Sequence, residues 1–528
     1  MQRIVSLIAD FKSIGIFFFV KFLYTAEYNR GLYRGNNNMK RVFFTAILFC
    51  AFAAAAAGQN KIHLLKFDKT KYVEKSTDYN NKKIKYRAYE GIVYVANPVD
   101  EKYESMNIYI PSAYFKKQKI NGYTAKTAPI FLPNSIGGYM PGEAGTLAAP
   151  FGGNTVSASL TALANGLIVA APGARGRTTK AADGTYNGKA PACIIDLKAA
   201  VRYLRYNDSA MPGDAEKIIS NGTSAGGALS ALLGASGNSK DYEPYLAEIG
   251  AADARDDIFA SSCYCPVTNL ENADAAYEWL FCGHNNYSKM EIKMMTDYHM
   301  ERKEVTGTLT AAQIKESKEL ASFFPAYVNS LHLKSSDGEQ LSLNTDGTGS
   351  FADYVSSFII ASAQKQLDSG KDMSSYKFFT ISENKITACD LNAYAAYAVR
   401  MKMPGAFDGS DADNAENSLF GDKTTNAKHF TFYAFSHDTA KAPMADTQIV
   451  RLMNPMNYAG SKDVSTAKYW RIRHGTKDRD ISPAISVILS SLLEENNFSV
   501  DFFMPWDVPH AGDYDLDELF SWINSISR

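Results

Sequence analysis

The chain has 528 residues, 46% of them hydrophobic and 21% charged, with a formal net charge of -1. That is an ordinary globular composition, long enough for a large core and for more than one folding unit. The balanced charge speaks against a nucleic-acid partner, which needs a basic surface, while 31 Tyr and 30 Phe suit an aromatic cleft and an aromatic core equally well.

At the N-terminus, Met39-Lys40-Arg41 precedes the apolar run Val42 to Ala57, which ends in small residues before Gly58-Gln59. A short basic region, an apolar stretch and a small-residue cleavage site predict a secretory signal peptide over 39–58. Residues 1–38 are then a misassigned extension, with Met39 the true start. The alternative is a membrane anchor at Ile14 to Leu23, but that stretch is shorter than the roughly 20 apolar residues a span needs. The mature protein is expected to be exported, periplasmic or secreted, without a stable membrane span. Six cysteines occur and Cys50 leaves with the signal, so an odd number remains and no disulfide scaffold is expected. Cys263 and Cys265 are read as lining one face of a strand.

Residues 59 to about 83 are rich in Lys and Asn and read as a loosely packed lead-in. Ile84 to Tyr89, Ile92 to Val95 and Met106 to Ile110 are predicted strands. Pro129 to Pro133 is a short buried strand that runs into Gly137-Gly138-Tyr139, and Gly166 to Ala171 is another. Ala192 to Tyr206 has helical spacing. Lys217 to Asn221 is a strand feeding Gly222-Thr223-Ser224-Ala225-Gly226-Gly227, and Ala225 to Ala235 is a helix. Apolar strands alternating with amphipathic helices predict a mostly parallel sheet covered on both faces.

From about Cys265 to Asn454 helical stretches dominate, such as Ala312 to Phe324 and Ala363 to Leu367. The segment Asp408 to Asp413 lacks the glycine and glutamate of a calcium loop and reads as a polar turn. The α/β pattern resumes with a strand at Trp470 to His474, a helix at Ser482 to Glu495, a strand at Val500 to Met504 and a helix at Leu516 to Ile526. The expected organisation is an α/β-hydrolase core at 59–264 and 455–528, interrupted by an inserted cap at 265–454.

A serine on a sharp strand-to-helix turn projects its oxygen above the sheet and sets the next N–H beside it. Ser224 therefore reads as a nucleophile. It needs a histidine to take its proton and a carboxylate to hold that histidine's tautomer. The chain has eight His, and His510, just beyond the last strand, suits the base. His474 competes but precedes the carboxylate loop. Asp478 and Asp480 compete for the carboxylate. The oxyanion is expected on the N–H of Ala225 and on a second donor from Gly137 or Gly138. This chemistry requires no metal and no organic cofactor.

Several longer stretches go further: Pro133 to Tyr139, Arg175 to Thr179, Ile218 to Gly227, Tyr277-Glu278-Trp279, Asn417 to Asp422, Trp470 to Gly475 and Pro505 to Asp515. From about Tyr89 to its end the sequence resembles the bacterial tannases, acylhydrolases that cleave galloyl esters. The resemblance implies a Ser224, Asp478 and His510 triad, which settles Asp478 over Asp480. It also implies that Lys402, Glu416 and Asp480 grip the galloyl hydroxyls; on the residues alone Lys402 and Glu416 would be surface charges of the cap. Small-molecule galloyl esters and tannins are the implied partners. A feruloyl or other aryl esterase is the alternative, and a serine peptidase or a catalytically dead binding protein is further off.

Overall fold

The structure is a computed structural model that describes residues 62–148, 156–294 and 300–528. The expected signal segment at 39–58 and the extension before it lie outside these residues.

The chain opens with an antiparallel hairpin, β1 (Val73–Tyr79) against β2 (Lys82–Val93). This corrects the expected loose lead-in. β1 is mostly exposed and carries Lys, Glu and Asp, so burial left no periodic signal in it. The clue lay in the turn. Asn80 and Asn81 both adopt positive φ (47° and 60°), as a two-residue hairpin turn of the primed type demands. The two expected segments at Ile84 and Ile92 form one strand, β2, with an irregularity between Tyr89 and Ile92.

β3 (Ser105–Pro111), β4 (Pro129–Pro133), β5 (Ile168–Pro172), β6 (Asp214–Thr223) and β7 (Ala260–Tyr264) continue the sheet. The chain then leaves it. The excursion carries long helices at Ala311–Ser330 and Ser350–Asp368. It also has two hairpins that the sequence reading did not anticipate, β8 (Asn286–Met294) with β9 (Met300–Thr308) and β10 (Phe379–Ser382) with β11 (Lys385–Cys389). Sheet residues return at β12 (Tyr469–Arg473) and β13 (Ser499–Phe503). The nine-stranded order is β1-β2-β3-β5-β4-β6-β7-β12-β13. β1, β2, β3 and β5 pair antiparallel, and the strands from β5 through β4 to β13 pair parallel. This is an α/β-hydrolase sheet with a large cap inserted between β7 and β12.

The central strands are apolar because both faces are covered. Ile218, Ile219, Ile130, Phe131, Val169, Trp470 and Ile472 are all essentially inaccessible. The helix Ala225–Ala235 is buried along its whole length, as its Ala, Leu and Gly composition demands. Register matters most for function. Thr223 pairs with Tyr264, Tyr264 with Arg473, and Arg473 with Phe503. Four parallel strands thus end level, and the loops that follow them emerge along one rim, where open α/β sheets hold their chemistry. Among the described residues no helix is long and apolar enough to cross a membrane.

Candidate active site

Ser224 sits on the turn between β6 and the helix Ala225–Ala235, with φ 61° and ψ -124°. Positive φ is costly for a residue with a Cβ, and the surroundings enforce it. The Ser224 N–H donates to Tyr264 O (3.0 Å), and the Ser224 carbonyl accepts from Ala228 N (2.9 Å) and Val267 N (3.2 Å). Bare glycine is needed on both sides. A Cβ at Gly222 would overlap Gly226 O, and one at Gly226 would lie 2.5 Å from Asn134 Oδ1 and 2.9 Å from Ile136 O. Ala225 is the first residue of that helix, where backbone N–H groups have no intrahelical acceptor.

The loop after β4 lies against this turn. Asn134 Nδ2 donates to Gly226 O (3.0 Å), Asn221 O (3.4 Å) and Ser230 Oγ (3.2 Å). Gly138 has φ 53° and Tyr139 φ 55°. Arg177 Nε donates to Gly138 O (2.9 Å), the Arg177 N–H to Tyr139 O (2.9 Å), and buried Tyr139 Oη to Val267 O (3.0 Å). The Gly137-Gly138 segment is thus held on both flanks beside the serine turn.

Asp478 follows β12 and His510 follows β13, and the two loops are tied together. Lys477 N donates to Val508 O (3.0 Å) and Thr476 N to Pro505 O (2.9 Å). The His510 loop also abuts the serine turn. A Cβ at Gly512 would overlap Thr223 Oγ1, and Asn221 Nδ2 donates to Asp513 Oδ1 (2.9 Å). His510 Nδ1 bonds Asp478 Oδ2 at 2.7 Å, while Asp478 Oδ1 accepts from Asp480 N (2.8 Å). Burial alone would lower the His510 pKa, but the Asp478 charge and hydrogen bond more than reverse this and hold it above the ordinary imidazole value. Burial likewise pushes Asp478 up, yet His510, helped by His474, keeps it below the ordinary carboxyl value. His474 is fully buried and bonds Ser486 Oγ (3.1 Å). Among the described residues no hydrogen bond joins the Ser224 hydroxyl to His510, a contact that often tightens only with substrate. Nε2 instead faces the Cys265 thiol at 3.9 Å.

Cys265 corrects an expectation. It does not share a strand face with Cys263. β7 ends at Tyr264, and Cys265 turns out of the sheet with φ 36°. Cys263 stays within the sheet, near Ser261 Oγ (3.2 Å).

The residues expected to bind the acyl ring gather on the cap side of the same rim. Lys402 Nζ lies 3.9 Å from Asp480 Oδ1, both partly exposed, and 4.7 Å from the Phe407 ring centre. Glu416 occupies the first turn of the helix Ala415–Leu419. Burial pushes its carboxyl above the ordinary range, Lys402 and Arg177 offset part of this, and Asp480 adds to it. Glu416 therefore feels the charges of Lys402, Arg177 and Asp480, although the four come from separate segments.

Two positioning residues were missed by sequence reasoning. Tyr277 Oη donates to Arg479 O (3.1 Å) and accepts from Met401 N and Lys402 N (3.0 Å each). One hydroxyl therefore braces the Lys402 segment against the Asp478–Asp480 loop. Behind it, buried Arg400 pairs with buried Glu278. Arg177 is the second, through its bond to Gly138. Both lie in stretches that carry the family resemblance, Tyr277-Glu278-Trp279 and Arg175 to Thr179, which was the available signal.

A family profile described as BD-FAE matches residues 180–319. A search of curated proteins returned no match. Among solved structures, the tannase of Fusobacterium nucleatum is 52% identical with TM-score 0.85, over 88% of this chain and 100% of that one. The tannase of Lactobacillus plantarum is 44% identical with TM-score 0.84, over 88% and 99%. A tannin acyl hydrolase in complex with ethyl gallate is 45% identical with TM-score 0.83, over 88% and 99%.

Proposed function

The chain belongs to the tannase family, and from that premise we propose that it is a serine esterase that hydrolyses the galloyl esters of tannins and simple gallates to gallic acid. The observation that carries this reading is the near-complete match to a tannin acyl hydrolase crystallised with ethyl gallate. The 2.7 Å Asp478–His510 bond beside the strained serine turn supports the assignment of roles.

In this reading Ser224 Oγ attacks the ester carbonyl while His510 Nε2 takes its proton. Asp478 keeps the proton of the resting imidazole on Nδ1 and stabilises the imidazolium as it forms. The oxyanion rests on the Ala225 N–H and on the Gly137-Gly138 segment, donors of this kind being worth about 3–4 kcal/mol each. His510 then protonates the departing alcohol, and water releases gallate by the same steps in reverse. Glu416 and Asp480 accept hydrogen bonds from the ring hydroxyls, and Lys402 faces the hydroxyl oxygens. A site built to bond hydroxyls rejects an analogue that lacks them far more strongly than an apolar slot rejects an added group.

The cap boundaries at 265–454 belong to the proposal, with the acyl ring lodged between cap and core. So does export to the periplasm or medium, which the Met39 to Gly58 pattern supports and N-terminal sequencing of exported protein tests. The main experiment is release of gallate from a galloyl ester by the purified protein beside its Ser224→Ala variant. Turnover only in the unaltered protein is expected, and equal turnover in both would remove Ser224 from its role. Methyl ferulate hydrolysed as fast as methyl gallate would favour the feruloyl-esterase alternative.

A further inference from the structure

Cys265 has no part in the acyl-transfer chemistry, yet its thiol lies beside the nitrogen that must take the serine proton. Sγ is 3.9 Å from His510 Nε2 and 3.4 Å from Ala511 O. The donor atoms of Cys265, His510 and Asp478 all fall within 4.8 Å of one another. We propose that Cys265 Sγ and His510 Nε2 form a two-point site for a thiophilic divalent cation such as Zn2+, and that its occupation reversibly silences the base.

The geometry suits that ion. Zinc binds thiolate at about 2.3 Å and imidazole at about 2.0–2.1 Å, so a tetrahedral angle sets sulfur and nitrogen about 3.5 Å apart. The 3.9 Å found here needs only an angle opened to about 130° at the same bond lengths, or a few tenths of an ångström of side-chain motion. The outer partner is already in place. Asp478 holds Nδ1 at 2.7 Å, and a carboxylate on the far nitrogen is what orients a metal-bound histidine and raises its basicity. Binding replaces the thiol proton, which leaves to solvent, and waters complete the coordination. The approach is open on the histidine side, whose side chain is 19% exposed, while Cys265 itself is buried. Hard cations such as Mg2+ and Ca2+ choose oxygen ligands and would not compete.

The inhibitory half of this inference rests on His510 being the base, so binding and turnover are read separately. Purified protein is titrated with ZnCl2 by calorimetry, and with CoCl2 to follow the thiolate-to-cobalt absorption in the near ultraviolet. Ester hydrolysis is followed with a 4-nitrophenyl ester, because galloyl products chelate metals. The expected result is zinc binding and loss of turnover at matching concentrations, reversed by EDTA. Cys265→Ala should hydrolyse the ester normally without zinc and need at least about tenfold more zinc for inhibition. That variant also separates this site from Cys282 and Cys389, which are partly accessible thiols among the described residues. Should it fail to fold, the cobalt absorption of the unaltered protein decides, since its absence excludes the thiol as a ligand. Zinc inhibition unchanged in Cys265→Ala, or binding through Cys265 with turnover intact, overturns the proposal. A Cys265-dependent cobalt band in a protein unable to hydrolyse any ester would count instead against the reaction assigned above.

Discussion

At the residue scale, the Asp478–His510 pair sets the pH behaviour. The base must be neutral to accept a proton, and Asp478 holds His510 above its ordinary value. The rate kcat/KM should therefore rise with pH along an acid limb that lies above the free imidazole value of about 6.5. Asp478→Asn should move that limb to lower pH and cut kcat by about 10⁴-fold; a pH–rate profile of both proteins checks this. The same shift adds stability that is complete below pH about 6.5 and fades as pH rises through the folded value. In the proposed reading Asp480 acts on specificity instead. Its replacement by Ala should cost gallate esters about 10–100-fold in kcat/KM, the worth of a hydrogen bond to a charged acceptor. Unhydroxylated benzoate esters should lose much less, and equal losses would sink its role in ring recognition.

At the element scale, what counts is how loops from different strands are pinned. Gly226 is flanked by Asn134 Oδ1 and Ile136 O, so Gly226→Ala must push the serine turn away from the loop that carries Gly137 and Gly138. A cost of about 1–3 kcal/mol in stability is expected, as for overpacking elsewhere, together with a fall in kcat larger than any change in KM. Denaturant melts and initial rates measure both. Tyr277 joins two other elements through three bonds. Tyr277→Phe removes them and leaves three backbone groups to find other partners. It should raise KM for galloyl esters through Lys402 and Asp480 while Ser224 still reacts with a phosphonate label.

For the whole molecule, what counts is that polar ties cross between the sheet-bearing core and the segment inserted between β7 and β12. Lys189 precedes the helix Ala192–Tyr206 of the core, yet its Nζ donates to Ser418 O (2.7 Å) and Asn426 O (2.7 Å) and to both their side chains. Ala190 N reaches Leu419 O and Tyr186 N reaches Lys423 O (2.9 Å each). Lys189→Met leaves those acceptors without their donor, which should lower stability by about 1–3 kcal/mol. Because Glu416 rides on the same cap segment, binding of galloyl esters should weaken with it. Thermal melts and KM values test the two effects together.

Much of this molecule was legible in the chain itself. The parallel core strands, the strand–turn–helix at Ser224, and the loops holding Asp478 and His510 follow from apolar runs, glycines and chain order. These are local signals, set by backbone sterics and by burial of neighbouring residues. The family resemblance added Lys402, Glu416 and Asp480, which carry no local mark. Other features needed the folded chain. β1 is hydrophilic and declared itself only by an Asn-Asn turn. Cys265 looked like a strand residue until the end of β7 turned it toward His510. Tyr277 and Arg177 act through contacts between segments about a hundred residues or more apart in one case and about forty in the other, and no spacing in the sequence records them. Short-range sterics wrote the elements into the sequence. Which side chains meet across elements was decided by packing, because that depends on register and close approach rather than on neighbours along the chain.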